Sequence, residues 1–366
     1  MKKILLLLSV AIITMGCQAQ KKSKEYTING TCSLSNDNDK VYLCNINGSI
    51  LDSTIITNKQ FVFKGNQDGA DVKIIVALNG EKPVSQAMLV VENLNINVEM
   101  PNGNGLAKVE GCPDHNSFIT FQSNVEQYQA KVQNFWTQIG SNSGTIDDIE
   151  KAKDSINIYN SKRDKYIEDF VLNNIPLLVS DLVFKYYYDN ISEESKSKIM
   201  AKMKKEMPEA PYYKYLVNQQ KIEAELAVGK PFKEIQLPDF DGNIIKLSEI
   251  VAKNKVTLID FWASWCAPCR AEMPNVVHQY ALYHDKGFEI YGVSLDNQMS
   301  NWKTATQKLF MSWIQVSDLK GWQSEGAKIY NIQSIPATVL INQKGEIIAK
   351  NLRGEELAKK LEELFK

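Results

Sequence analysis

The sequence predicts a multidomain chain: a β-rich N-terminal unit shaped like a small sandwich, a helical middle region and a C-terminal α/β unit. Three observations carry this. Residues 25–112 break into seven short runs rich in Val, Ile, Tyr and Phe, separated by the turn signals NDND, NGS, NQDG, NG and EN. From residue 113 to about 227 the apolar positions switch to a spacing of three and four. Beyond residue 228 strand-like and helix-like segments alternate, and one stretch reads VTLIDFWASWCAPCRAEMP (Val256 to Pro274).

At 366 residues the chain has room for two or three domains. A hydrophobic content of 44% and a charged content of 23% are those of globular protein. The net charge of −1 removes any electrostatic argument for nucleic acid or anionic lipid as a partner.

Residues 1–17 read as an export signal. Lys2 and Lys3 precede an apolar stretch, Ile4 to Ile13, in which only Ser9 is polar. As a helix that stretch is about 15 Å long, half of what a bilayer needs, so it is a signal core and not a membrane span. Thr14-Met15-Gly16-Cys17 resembles a bacterial lipoprotein cleavage site, with Thr14 in place of the usual Leu. The resemblance implies lipidation of Cys17 and a mature chain that begins there; an ordinary signal peptide cut near Ala19 is the alternative. Two or more acyl chains anchor a protein stably. Residues 18–24 then form a polar tether without the acid-rich tract associated with surface display. The expected location is the cell envelope, lipid-anchored and facing the periplasm, an oxidising compartment.

The β-rich unit spans residues 18–112. It holds Cys32, Cys44 and Cys112, an odd set that cannot all pair internally. Cys32 and Cys44 sit in adjacent strand candidates and are either cross-strand partners or buried small apolar residues. In the helical region, residues 113–227, Phe118, Phe121, Val125, Tyr128, Val132 and Phe135 mark one helix face. A second helix follows Gly144, with Thr145 and Asp148 as a capping box. Pro176 is expected to open a third. Residues 192–206 and 211–226 give two more, broken at Pro208. The run Tyr186-Tyr187-Tyr188 reads as core and interface. No catalytic constellation appears in residues 25–226.

Val228-Gly229-Lys230-Pro231 reads as the linker into the last domain, residues 228–366. Asp241-Gly242 marks a hairpin. Val256-Thr257-Leu258-Ile259 is a core strand, and a helix begins at Cys266. Unpaired N–H groups at a helix start favour a thiolate, which makes Cys266 the attacking sulfur. Cys269 lies one turn further in and can close a small disulfide with it. Asp260 ends an apolar strand, where a carboxyl is desolvated and suited to move a proton. Glu272 shares a helix face with Cys269 and is either an active-site acid or a solvated carboxylate. Trp265 lies beside the first cysteine, as substrate surface or as core. A zinc site needs four N or S ligands. There is no second CxxC, and His115, His278 and His284 are scattered. The reading therefore needs no metal or other cofactor.

With WCAPC, Asp260, Glu272, Pro274 and SIPATVLIN (Ser334 to Asn342) in view, residues 230–366 resemble the thioredoxin-fold domain of the TlpA/ResA-like thiol-disulfide oxidoreductases. The N-terminal stretch more loosely resembles a β-rich domain of unknown function found ahead of such modules. The resemblance implies that Pro336 is the fold's cis-proline and that the Ile335 backbone pairs with an extended substrate segment. Ala267, Pro268 and Trp265 would complete the substrate surface. It implies a disulfide reductase whose substrates are exported proteins with disulfides, apocytochrome c among those of the family, and whose electrons come from a membrane-embedded thiol donor. Three alternatives stand beside it: a net oxidase or isomerase using the same residues, a thiol peroxidase, and a binding lipoprotein in which the disulfide is incidental. The peroxidase reading needs a Ser or Thr before the cysteine. Ser264 supplies one, but the Pro expected upstream is missing.

Overall fold

The computed structural model describes residues 24–140 and 145–366. The signal segment 1–17, Cys17, most of the tether and Gly144 lie outside the described residues. The chain forms two compact units that divide between Tyr215 and Leu216. No helix among the described residues is long and apolar enough to cross a membrane.

In the first unit the seven strand candidates form β1 (Tyr26–Thr31), β2 (Lys40–Asn45), β3 (Ile50–Ile55), β4 (Gln60–Gly65), β5 (Asp71–Asn79), β6 (Lys82–Val91) and β7 (Asn95–Glu99). Two further strands, β8 (Gly103–Asn104) and β9 (Lys108–Glu110), are too short to leave a pattern in sequence. They join two sheets, ordered β4-β1-β7-β9 and β3-β2-β5-β6-β8. Period-two alternation buries Phe61, Phe63, Ile96 and Val98 in the first sheet. Gly30 leaves the space that the Phe61 ring fills; a Cβ there would lie 1.9 Å from it. Cys32 follows β1 in one sheet and Cys44 lies on β2 in the other. Both, like Cys112, are buried thiols outside any disulfide.

Five helices follow: α1 (Pro113–Gly140), α2 (Ile146–Asn174), α3 (Leu178–Tyr186), α4 (Glu193–Glu206) and α5 (Pro211–Glu225). The marked face of α1 packs against α2 through Tyr128 on Tyr166 and Phe135 on Tyr159. The expected capping box is present: the Thr145 hydroxyl accepts from Asp148 N–H, and the Asp148 carboxylate accepts from Thr145 N–H. Pro176 does not open α3. It lies outside the helix, after a cis bond from Ile175. The first turn of α3 is capped from α1 instead, where the Asp114 carboxylate accepts from Val179 N–H at 2.7 Å. Asp181 does the same for α5, accepting from Tyr212 and Tyr213 N–H. The three adjacent tyrosines are packing residues: Tyr186 donates to Asp71, Tyr187 sits edge-on to Phe121, and Tyr188 meets Phe184 and Tyr212.

The second unit begins before the expected linker, because Ile222 and Leu226 pack into the C-terminal core. The linker itself is structured: Gly229 N–H donates to Ile347 C=O and Ile347 N–H donates to Lys230 C=O. Then come the hairpin β10 (Gln236–Pro238) and β11 (Ile244–Lys246), α6 (Leu247–Lys253), β12 (Val256–Trp262) and α7 (Ala267–Tyr283). They are followed by β13 (Phe288–Ser294), α8 (Met299–Lys308), β14 (Ile314–Val316), α9 (Glu325–Ile329), β15 (Ala337–Asn342), β16 (Ile347–Lys350) and α10 (Gly354–Phe365). The main sheet is ordered β14-β13-β12-β15-β16. β12 runs parallel to β13 and antiparallel to β15. This is a thioredoxin-like fold, with β14 added at the edge of the sheet beside β13. Every residue of β12 is buried, so the strand reads as a continuous apolar run interrupted only by Thr257 and Asp260.

Gly292 on β13 makes room for the side chain of Gln315, whose Oε1 accepts from Trp262 Nε1 at 3.1 Å. A Cβ on Gly292 would meet the Gln315 amide at 2.7 Å. Gly292→Ala is therefore expected to destabilise the C-terminal unit by about 1–3 kcal/mol, read as a shift of its unfolding transition to lower urea. An unmoved transition would mean that Gln315 retreats at no cost.

Candidate active site

The site is built where β12 ends and α7 begins. The β-ladder carries the chain past Trp262, whose carbonyl accepts from Leu295 N–H at 2.8 Å. The WASWC turn is then held by a buried acid two residues past the end of β13. Asp296 accepts from Ser264 N–H at 3.0 Å and from the hydroxyls of Ser264 and Ser294. This turn delivers Cys266 as the N-cap of α7, with its sulfur 3.2 Å from the N–H of Cys269. Cys266 and Cys269 form a disulfide with a Cα–Cα separation of 5.3 Å. Pro274 lies inside α7 and leaves the carbonyl one turn before it without its usual donor.

The two sulfurs are unequal. Cys269 is fully buried, whereas Cys266 retains 4% of its surface. A partner thiol or disulfide can therefore reach Cys266 alone. Ala267 and Pro268 flank it and are exposed. Across from it stands the Ile335 carbonyl, 3.7 Å from Cys266 Sγ, followed by the cis bond to Pro336. Trp265 is half exposed and packs against Trp322, their ring centroids 6.0 Å apart. It is a surface residue beside the disulfide and not part of the core. Trp262 is the core tryptophan of the pair.

Asp260 is buried on β12, and its Oδ2 finds no hydrogen-bond partner among the described residues. Burial pushes its pKa up to about 7; the negative charge of Glu272 adds to the rise and the Arg353 guanidinium opposes it. Glu272 is half-buried and accepts from Gly354 N–H at 2.7 Å and from the Asn275 side chain at 2.8 Å. It is thus neither freely solvated nor idle: it ties α7 to the start of α10.

The fold brings together Cys266, Cys269, Asp260, Glu272, Ile335 and Pro336, with Trp265, Ala267 and Pro268 on the rim. Asp296, Trp322 and Arg353 were not anticipated. Asp296 carried a readable sign, since it closes the apolar run FEIYGVSLD; Asp260, expected to end its own strand, lies within it, because β12 runs on through Phe261 and Trp262. Trp322 and Arg353 carried none, because they reach the site from turns distant in sequence. The Ser264 hydroxyl, which the peroxidase reading requires near the cysteine, is committed to Asp296.

Residues 228–350 match the AhpC/TSA family, and residues 26–118 match the Domain of unknown function DUF4369. The thiol-disulfide oxidoreductase ResA of Halalkalibacterium halodurans is 32% identical over 132 residues, 36% of this chain and 72% of that protein. ResA of Bacillus thuringiensis is 29% identical over 155 residues, 42% of this chain and 84% of that protein. Among solved structures, a thiol-disulfide oxidoreductase from Bacteroides fragilis is 36% identical, with 37% of this chain and 99% of that chain covered at a TM-score of 0.35.

The buried acid has a consequence for stability. The folded carboxyl holds its proton more tightly than the unfolded one, so stability falls as pH climbs from about 4 towards about 7. Asp260→Asn removes that penalty. The variant is expected to be more stable than the parent at pH 8, by roughly 2–4 kcal/mol, and to lose the advantage as the pH approaches 4. Urea unfolding of the oxidised protein across this range is the measurement; an advantage that did not change with pH would refute the assignment.

Proposed function

The chain belongs to the ResA-like thiol-disulfide oxidoreductases, and we propose that it acts as a lipid-anchored, periplasm-facing reductase of disulfides in exported proteins. The observation that carries this reading is the unequal cysteine pair, one sulfur reachable at a helix start and the other sealed behind it. In the reduced protein the Cys266 thiolate attacks one sulfur of a substrate disulfide. A mixed disulfide forms and the second substrate sulfur leaves as a thiolate. Asp260 takes the proton of Cys269, whose sulfur then attacks Cys266 Sγ. The substrate departs with both thiols reduced, and the Cys266–Cys269 disulfide holds the two-electron oxidation. The Ile335 backbone beside Cys266 suits strand addition by an extended substrate segment.

One feature favours reduction as the net direction. Ala267 and Pro268 place no charge or histidine between the cysteines, so only the helix start stabilises the thiolate. A membrane-embedded thiol donor on the same membrane would return the pair to the dithiol. An oxidase or isomerase would use the same residues, and the reduction potential separates them. Lipid attachment at Cys17 rests on the short signal core and on Gly16-Cys17.

Trapping tests the exchange. Cys269→Ser in the native periplasm is expected to accumulate mixed disulfides with exported proteins, and Cys266→Ser to trap almost none. The reverse pattern would exchange the roles of the two sulfurs. Fractionation tests the anchor: the parent protein should sediment with membranes and Cys17→Ser should not. A parent protein that is soluble, with a mature start near Gln20, would overturn the anchored reading.

A further inference from the structure

The turn between β16 and α10 plays no part in the exchange steps above, yet it is bonded to both walls of the site. Asn351 N–H donates to Thr338 C=O at 2.7 Å, and the Thr338 hydroxyl donates to Leu352 C=O at 3.1 Å. The Arg353 guanidinium donates to the carbonyl of Pro336. Gly354 N–H donates to Glu272, and the Asn275 side chain donates to Gly354 C=O at 3.2 Å. One short turn thus grips the cis-proline segment on one side and the cysteine helix on the other.

The same turn lies over Asp260. Asp260 and Thr338 are opposite one another in the antiparallel β12–β15 pair, so their side chains share a face of the sheet. Thr338 holds Leu352, and Arg353 is the next residue. The charges around Asp260 are few. β15 carries no charged residue. On β13 there is only Glu289, opposite Thr257, with its carboxylate on the Tyr280 hydroxyl and Ile290 N–H. On α6, Glu249 pairs with Lys246, and Lys253 closes the helix. On α7, Arg270 and His278 are exposed, as are Glu355 and Glu356 on α10, and the Asp296 carboxylate is held by Ser264 and Ser294. That leaves Glu272 and Arg353, of opposite sign, acting on Asp260.

We infer that Arg353 is a positioning residue that sets how readily Asp260 accepts the proton of Cys269, with Glu272 as the opposing charge and not as the proton carrier. Glu272 suits that part because its Oε1 is taken by Gly354 and Asn275. The guanidinium favours the carboxylate form of Asp260, the form able to accept a proton, and its bond to Pro336 fixes it there. This rests on Asp260 as the acceptor proposed above, so the test reads the carboxyl and the thiol chemistry separately.

In the oxidised full-length protein no thiol of the pair titrates, and the Asp260 carboxyl band is isolated by infrared difference against Asp260→Asn. Arg353→Gln is expected to move the midpoint of that band to higher pH, and Glu272→Gln, which keeps an oxygen for Gly354, to lower pH. Arg353→Lys, with the charge retained, should stay near the parent. In stopped-flow resolution of a mixed disulfide at pH 6, Arg353→Gln should be about threefold slower than the parent, the change in carboxylate population that follows when the midpoint rises by about half a pH unit. Glu272→Gln should be faster. Midpoints that move the same way in both variants, or a lysine variant that moves as far as the glutamine one, would overturn the inference. If the band moves as expected but Asp260→Asn resolves at the parental rate, Asp260 is not the acceptor and the inference falls with it.

Discussion

The active site depends on one constraint: β12 is buried along its whole length. A strand between a parallel and an antiparallel neighbour has no edge to offer water, and its side chains meet protein on both faces. An acid within it therefore cannot be solvated, and Asp260 is held as a weak acid by its place in the sheet before any neighbouring charge acts. The same strand sets the direction in which the chain leaves the sheet. Its ladder to β13 runs as far as Trp262, and Asp296, just past the end of β13, catches Ser264 and turns the backbone into α7. Strand burial, proton affinity and the placing of the nucleophile are one structural fact seen from three sides.

Around that strand the site is assembled from pieces far apart in sequence. The cysteines and Glu272 come from α7, the substrate-facing carbonyl from the segment before β15, and the clamp from the turn before α10. Hydrogen bonds to backbone carbonyls and amides join these pieces, so their spacing does not depend on the packing of flexible side chains. The wall facing substrate is different in kind. It is formed by exposed apolar groups, Trp265 against Trp322 with Ala267 and Pro268, which offer area without directional bonds. Such a surface leaves the one reachable sulfur as the directional element of the site.

Much of this was legible from residues alone. The β12 run, the helix start at Cys266, the capping box at Thr145 and Asp148, and the hairpin at Asp241-Gly242 are local, written in neighbouring positions. What escaped is non-local. Pro176 has the composition of a helix start, but the cap of α3 comes from Asp114 on another helix. Val228 to Pro231 has the composition of a linker, yet the backbone there bonds to β16. Arg353 reads as one more surface charge until the turn that carries it is seen to reach Pro336. Glu272 was ambiguous in sequence because helical spacing tells which face a carboxylate is on but not what it holds.

Among the described residues, three cysteines outside the active pair, Cys32, Cys44 and Cys112, bear on how the protein handles electrons. All are buried, and burial raises the thiol of Cys44; for Cys112 burial and the nearby Glu92 push it up to about 12. A thiol that stays protonated and out of reach neither attacks a disulfide nor receives one. Folding thus partitions the described cysteines into an exchanging pair and a buried remainder. Each catalytic cycle moves two electrons through a single door, and the buried thiols of the N-terminal unit stay outside that traffic.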